Sequence, residues 1–569
     1  MKKKQLLSIL TGSALLLSLA ACGTESGSAT ATTPSETARA TQAATTVALT
    51  GEETALAFSD SGISVTSGSS NGFECEGTAL TIDAAGTYVL SGSCADGSVK
   101  VKKGTTGVTL VLNGLTLTSS NTAPIACNKS TEVTVVAAGG TENTLTDAAE
   151  NNNDDYPDNE NAENAVIKCK DGSTVTLCGT GTLTLNANGK NGIKSGATTD
   201  EEGEASLTIR ELTLNINAAV NDAVNAEQYL AVESGALNLA AADDALHCDL
   251  TMDVGAEGTD GPTIKITEAY EGIEAATLNI QSGDISILCT DDCMNVANSD
   301  LGSYDFSMNI SGGTIVAYTS EGDGFDSNGS LTISGGNVTV WTASSADNQP
   351  LDADGTFSIT GGTVLAAGGS AGMGMNLSAT QAYVTFGSTG MDGMGGMGNM
   401  GGQPGGFGGG MQPPQSGSDQ PGGGFRPDDS FQPGRDSQFG DSFQPGRDSQ
   451  SDDSFQPGRD SQSGGNAPSD SGIQPGGIGN ALISSGSTVT ILDASGNVVS
   501  TGEAPCNAAF VFFSSPDLST DESYTLSADG TSAAAATAQT GTSSAQFGGG
   551  QRPGSEPPAA PGGEAGDNL

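Results

Sequence analysis

Apolar and polar positions alternate in short runs along most of this chain. Leu278-Asn279-Ile280, Leu331-Thr332-Ile333 and Gly335-Gly336-Asn337-Val338-Thr339-Val340 are typical, rich in Thr, Val, Ile and Leu with a period of two. That pattern predicts short, half-buried β-strands. Helical periodicity is almost absent after residue 22. Between the strands recurs an acidic turn that reads acid, small, apolar, polar, small. Its copies are Asn221-Asp222-Ala223-Val224-Asn225-Ala226, Asp243-Asp244-Ala245-Leu246-His247-Cys248, Tyr270-Glu271-Gly272-Ile273-Glu274-Ala275, Asp291-Asp292-Cys293-Met294-Asn295-Val296 and Gly322-Asp323-Gly324-Phe325-Asp326-Ser327. Weaker copies begin at Lys190 and Asn348. The second residues of these turns fall at 191, 222, 244, 271, 292, 323 and 349. The mean step of about 26 residues marks a solenoid.

The repeat predicts an all-β fold, a parallel β-helix built from three-strand coils. Val224, Leu246, Ile273, Met294, Phe325 and Leu351 fall at one position of the phrase and form one inward file, rising about 4.8 Å per coil. Two positions later a second inward file reads Cys127, Cys169, Ser195, Ala226, Cys248, Ala275, Val296, Ser327, Ala353, small enough for a tight corner. The position between them points outward and reads Lys168, Lys194, Asn225, His247, Glu274, Asn295, Asp326, Asp352. Glycines supply the positive φ that sharp corners need.

The ends carry different signals. Lys2-Lys3-Lys4 and the apolar run Leu6 to Leu19 form an N-terminal processing signal, too short to span a bilayer comfortably. Leu19-Ala20-Ala21-Cys22 resembles a bacterial lipobox. That resemblance implies cleavage before Cys22, diacylation of its thiol, and stable anchoring on the extracellular face of the cell membrane. An ordinary secretory peptide is the alternative. The expected organisation is a signal peptide at 1–21, a Thr/Ala/Ser-rich tether at 22–55, the β-helix at 56–386, an insertion at 387–480, a C-terminal β cap at 481–530 and a disordered tail at 531–569. The Gly/Met/Pro-rich insertion repeats Asp-Ser-Phe-Gln-Pro-Gly-Arg-Asp-Ser-Gln from Asp429, Asp441 and Asp453. Its low apolar content predicts disorder.

Charge narrows the partners. The chain carries 67 acids against 19 bases, a net charge of −48. Nucleic acid and anionic lipid surfaces are poor partners for it, and cations good ones. Of ten cysteines Cys22 is the lipidation site, and the odd nine that remain cannot all pair within one chain. Cys75 with Cys94 and Cys127 with Cys169 are candidate disulfides, with buried free thiols as the alternative. No Cys-x-x-Cys is present to suggest zinc.

Acids in register are the candidate chemistry. Carboxylates stacked at strand spacing repel, and some stay protonated unless a cation sits among them. Calcium takes six to eight hard oxygen ligands and fits that arrangement best. The candidate ligands are Asp222, Asp243, Asp244, Glu271, Glu274, Asp291, Asp292, Asn295, Asp323 and Asp326. Asn225, His247 and Tyr270 are candidate substrate contacts. The loop from Glu150 to Asp158 is another acidic candidate, with a solvated loop as its alternative.

The turns at Asp243, Tyr270 and Gly322, the strand Gly86 to Gly92 and the run Leu351 to Gly362 resemble a bacterial family. It is the calcium-binding carbohydrate-binding-domain β-helix of clostridial surface lipoproteins. The resemblance covers roughly residues 75–385 and 481–530. It implies a right-handed helix of pectate-lyase-like fold, bound calcium, and binding to cellulose and acidic pectic sugars. Many family turns carry Lys where this chain has Asn225, His247, Glu274, Asn295 and Asp326, so its acidic face is more negative.

These readings converge on a monomeric cell-surface lipoprotein that binds a polysaccharide, acidic or from plant cell wall, through calcium. A calcium-stabilised adhesin or spacer is the first alternative and a polysaccharide lyase the second. A lyase needs a base beside the metal. Between Glu211 and Gln381 only Lys265 is basic, His247 is the sole His, and Lys168 and Lys194 lie on early coils away from the main acid cluster. Binding is therefore favoured over catalysis, and no catalytic residue is assigned. Aromatic content of 4%, with Trp341 the only Trp, argues against a flat sugar-stacking platform.

Overall fold

The computed structural model describes residues 51–197, 205–343, 348–369, 377–387 and 481–543. Every regular element among them is a β-strand, so the fold is all-β. The chain lays down three files of parallel strands and visits them in succession. The first file follows the acidic turns. It runs through Ser98–Val101, Ile125–Cys127, Ala165–Cys169, Asn191–Ser195 and Val224–Ala226 to the leading halves of Leu246–Val254 and Ile273–Ile280, then Met294–Val296 and Phe325–Ser327. The second passes from Glu132–Ala137 through Thr174–Gly179 and Tyr229–Val232 to Phe357–Ile359 and Leu377–Gly387. The third passes from Glu142–Asp147 through Thr182–Ala187 and Asp284–Cys289 to Thr363–Gly368.

Register follows the apolar alternation. Val224, Leu246, Ile273, Met294 and Phe325 are direct partners on successive strands, and Leu351 extends the series by a bridge to Phe325. All six are fully buried. A slip of one residue would turn the whole set outward, and each buried side chain of this size is worth about 1.5–3 kcal/mol. The small inward file is buried as well, apart from a half-buried Ala353.

One detail differs from the sequence reading and another adds to it. Leu246–Val254 and Ile273–Ile280 are continuous strands that serve both the first and second files, with a register shift after Cys248. The glycine of the acidic turn is required for space. A Cβ on Gly272 would lie 2.3 Å from the Cys293 carbonyl oxygen, and one on Gly324 would lie 2.3 Å from that of Pro350. Positive φ falls, as expected of corners, on glycines that lead third-file strands, such as Gly336 (83°) and Gly362 (81°).

Both candidate disulfides are absent, because all nine cysteines among the described residues are free thiols. Cys127 and Cys169 are register partners on adjacent coils. Cys75 is exposed while Cys94 is buried.

At the N-terminal end, Thr54–Ser59 makes a hairpin with Gly62–Ser67 and pairs in parallel with Gly86–Cys94. At the other end, Thr488–Leu492, Val498–Glu503, Ser523–Ala528 and Thr531–Thr537 form a four-stranded antiparallel sheet. Phe510–Ser514 pairs antiparallel with both Thr363–Gly368 and Leu377–Gly387. Trp341, Phe386, Val511, Phe513, Ile491 and Leu526 share the core at this junction. Strands continue over 531–543, which corrects the tail expected from residue 531. Ala533, Ala534 and Ala536 pack against the cap core, and Gln539–Ser543 pairs with Leu377–Gly387. The signal peptide, Cys22, nearly all of the tether and the insertion beyond Gly387 lie outside the described residues.

Candidate functional site

The acidic turns stack because each donates a backbone N–H to a carbonyl of the next. Ala223 N–H donates to Asp244 O (2.9 Å), Ala245 to Glu271 (3.1 Å), Gly272 to Asp292 (2.9 Å), Cys293 to Asp323 (3.1 Å) and Gly324 to Gln349 (2.8 Å). The corner side chains therefore form a ladder. Several acids also brace it. Asp222 Oδ1 accepts the N–H of Asp244 at 3.2 Å, Asp292 Oδ1 that of Asp323 at 2.6 Å, and Asp323 Oδ1 that of Gln349 at 2.6 Å.

The outward file beside the ladder changes sign along its length. Lys168, Lys194, Asn225, His247, Glu274, Asn295 and Asp326 are successive register partners. Lys194 Nζ donates to Asn225 Oδ1 at 2.9 Å and pairs with Glu227 at 3.0 Å. Asn225 Nδ2 in turn donates to Asp222 Oδ2 at 2.6 Å. The early lysines are thus continuous with the ladder, not remote from it as their sequence distance predicts. Burial, reinforced by the Lys194 charge, lowers the pKa of Lys168.

His247 is the hub of the middle rung. Its Nδ1 lies 2.8 Å from Asp244 Oδ2 and 2.7 Å from Glu274 Oε2, and its Nε2 lies 2.8 Å from Asp249 Oδ1. Burial opposes charge on the ring, but hydrogen bonds to the three carboxylates prevail and raise its pKa well above the usual range. Carboxylates at both nitrogens favour a ring that donates from each. Asp244, His247 and Glu274 are close enough to share an ion. Burial, with repulsion from Asp222 and Glu274, takes Asp244 to about 7.

Among the described residues the late rungs carry no such basic side chain. Asn295 Nδ2 donates to Glu271 Oε2 at 3.1 Å, while the buried Asn295 Oδ1 has no partner. Burial, then repulsion from Asp244, pushes Glu271 up to about 8. Burial, then repulsion from Asp323 and Asp326, pushes Asp292 up to about 8. Oxygens of Asp323, Asp326 and Asp352 lie within 4.8 Å of one another. Burial, then mutual repulsion, takes Asp323 to about 7 and Asp326 to about 6, and burial also raises Asp352. Among the described residues no basic side chain pairs with this trio.

The candidate ligands therefore sort into groups. Asp222, Asp243 and Asp244 meet, Glu274 joins Asp244 through His247, and Asp323 and Asp326 meet on a later rung. Glu271 faces Asn295, and Asp292 braces the turn of Asp323. Asp291 bonds the Tyr270 hydroxyl, which that bond pushes up to about 12. Tyr270 is 48% exposed and is the most open of the three substrate candidates. In the Glu150 to Asp158 loop, Asp154 pairs with Lys190 and Asp155 accepts from Asn152 Nδ2. Three residues of the site are absent from the sequence-derived set. Asp352 and Gln349 stand in the periodic files read from the sequence but are not assigned as ligands there. Asp249 lies within Leu246–Val254 and leaves no periodic signal.

The family model described as carbohydrate-binding domain-containing protein matches residues 76–372, just over half of the 569-residue chain. The chain belongs to this family. The match spans the whole carbohydrate-binding-domain ladder, from Lys168 to Asp352. A carbohydrate-binding domain-containing protein of Acetivibrio thermocellus is 38% identical over 109 residues, which is 19% of this chain and 37% of that relative. The chain thus matches little more than a third of that relative's length. A solved structure, described as the polysaccharide lyase-like protein from C. thermocellum in a gadolinium derivative, is 20% identical. It covers 58% of this chain and 94% of its own, with a TM-score of 0.27.

Proposed function

We propose that this protein is a lipid-anchored lipoprotein of the bacterial cell surface that binds an acidic or plant-cell-wall polysaccharide. Calcium held by the stacked acidic turns carries the sugar. Family membership supports carbohydrate as the ligand. The observation that carries the calcium reading is the late part of the ladder, where half-buried carboxylates crowd together with raised pKa values and, among the described residues, no basic partner. Their donor atoms are hard oxygens on neighbouring coils, the set that calcium prefers. Bound there, calcium supplies the positive charge that lets an acidic surface meet an acidic sugar. The chain's own part is to align the carboxylates through the turn-to-turn hydrogen bonds and to leave Tyr270 open beside them.

The three parallel files support a right-handed parallel β-helix, since crossovers between parallel strands are overwhelmingly right-handed. The lipobox-like Leu19-Ala20-Ala21-Cys22 supports the anchor. A lyase is favoured by one observation only. Lys168 is an amine of lowered pKa in the file that leads into the ladder. A glycan array probed with the full chain, in calcium and in chelator, tests the main reading. Calcium-dependent signal on uronate-containing glycans is expected. Absence of signal on every glycan would leave the adhesin or spacer reading, and release of unsaturated uronates would establish the lyase.

A further inference from the structure

A separate recess opens on the second strand file. Residues 297–306 join Met294–Val296 to Ser307–Ile310 and fold back along the coils. Asn298 Nδ2 donates to the Asp249 carbonyl at 2.8 Å. That carbonyl lies two coils earlier, since His247, Glu274 and Asn295 are successive register partners. Phe306 packs against the core, and its ring centre lies 5.3 Å from that of Tyr304. The Tyr304 hydroxyl shares a hydrogen bond with Thr277 Oγ1 at 3.0 Å. Tyr229 comes from the opposite side. Its hydroxyl donates to Asp253 Oδ2 at 2.8 Å, and Asp253 Oδ1 accepts from Asn279 Nδ2 at 2.8 Å. Tyr229, Thr251 and Thr277 are register partners on three successive coils, so the two rings reach Thr251 from either side. Each ring is held at its tip. With Ser206, Gln228, Leu250 and Thr251 they line a groove of about 420 Å³, within the size range of small-ligand sites.

We propose that this groove binds one uncharged pyranose unit of a glycan through ring contacts with Tyr229 and Tyr304. The inference rests on the carbohydrate reading above and adds a site that needs no metal. Tyr229 and Thr277 are two coil steps apart, about 10 Å. A sugar ring in contact on both faces needs about 8 Å. Ser206 and Thr251 supply hydroxyls, and the Gln228 amide is oriented by its Oε1, which accepts the Ala205 N–H at 2.7 Å. Apolar ring faces with a few placed polar groups suit a pyranose, which has both kinds of surface. Among the described residues no charged side chain lines the groove. The adjoining carboxylates are engaged, Asp249 with His247 and Asp253 with Tyr229 and Asn279. A uronate would therefore find no cation here, and a neutral unit is favoured. A groove of about 500 Å³ beside Gly283 and Gly313 is larger, but no aromatic ring lines it. Leu250 and Thr251 directly follow Asp249, so the tyrosine groove adjoins the His247 rung of the ladder.

Calorimetry of the full chain in EGTA, with soluble neutral oligosaccharides of glucose, mannose and xylose, tests the assignment. Binding of at least one is expected, because the groove uses no metal. Tyr304→Ala and Tyr229→Ala are each expected to weaken that binding about tenfold. Tyr304→Phe keeps the ring, gives up only the Thr277 bond, and is expected to stay within about threefold of the parent. Ser206→Leu narrows the groove while leaving both tyrosine anchors, and about a tenfold loss is expected there too. It keeps the test decisive where a melt shows that an alanine variant is poorly folded. Undiminished binding by Ser206→Leu and Tyr304→Ala would overturn the site, as would equal losses in Tyr304→Phe and Tyr304→Ala. Binding of polygalacturonate in calcium, with no neutral oligosaccharide bound, would overturn it while leaving the main reading. Binding of neither would remove the carbohydrate reading itself.

Discussion

Raising the pH without metal should destabilise this protein across a range where most proteins are indifferent. Glu271 rises from 4.5 to about 8 and Asp292 from 3.8 to about 8, chiefly through burial. An acid whose folded pKa is raised binds more protons in the folded state, so stability falls as pH climbs from the unfolded pKa to the folded one. His247 acts in the same direction. Its contribution is complete below about pH 6.5 and declines above, because its folded pKa is also raised. Asp244, Asp249 and Glu274 face its ring nitrogens, and Asp222 adds a longer-range interaction. One pKa unit is worth about 1.4 kcal/mol. Glu271 titrating alone would therefore lose about 5 kcal/mol between its unfolded and folded pKa values. Solvent screening and protons shared between neighbouring acids cut this to about 2 kcal/mol per rung. Two late rungs then give about 4 kcal/mol, or a fall of roughly 5–10 °C in melting temperature from about pH 5 to about pH 8.5. Circular-dichroism melts in EDTA and in calcium measure it. Calcium binds the ionised carboxylates and should abolish most of the fall. A melting temperature in EDTA that stays flat or rises over that range would refute the reasoning.

Three further outcomes follow from local geometry. His247→Gln strips the common partner from three carboxylates and should cost about 2 kcal/mol near neutral pH in EDTA, after allowance for partial exposure, as read by denaturant midpoint. Gly324→Ala places a Cβ 2.3 Å from both the Pro350 oxygen and Val340 Cγ1. It should cost about 1–3 kcal/mol and weaken calcium binding by displacing the adjoining turn, which a calorimetric calcium titration detects. Trp341, 4% exposed at the junction with the C-terminal sheet, should emit in the blue and resist acrylamide. Phe513→Ala should cost about 3–5 kcal/mol and shift that emission to the red well before the coils unfold.

Much of this was legible in the chain because a stacked fold repeats its physics. One apolar position per phrase sufficed to align Val224, Leu246, Ile273, Met294, Phe325 and Leu351, and the structure pairs them in that register. The acidic corner file was legible for the same reason. What periodicity cannot convey is which neighbour answers which charge. Asp249 joins His247 by lying just beyond it in a strand that bends toward a second file, and Lys194 reaches Asn225 by pairing across coils that sequence separates by 31 residues. The glycines of the acidic turns give clearance for the next carbonyl, which composition does not announce. The extra strands over 531–543 were hidden because their alanines resemble a low-complexity tail until a sheet edge pairs with them.

The most direct test of the account is calorimetric titration of the full chain with polygalacturonate, in calcium and then in EGTA, with a melt of each sample. The account predicts saturable binding in calcium that disappears in EGTA while the EGTA sample remains folded. Equal binding in EGTA would contradict the bridging mechanism. Loss of the fold in EGTA with no binding in calcium would contradict it too, and would make the metal a structural part of the coil alone.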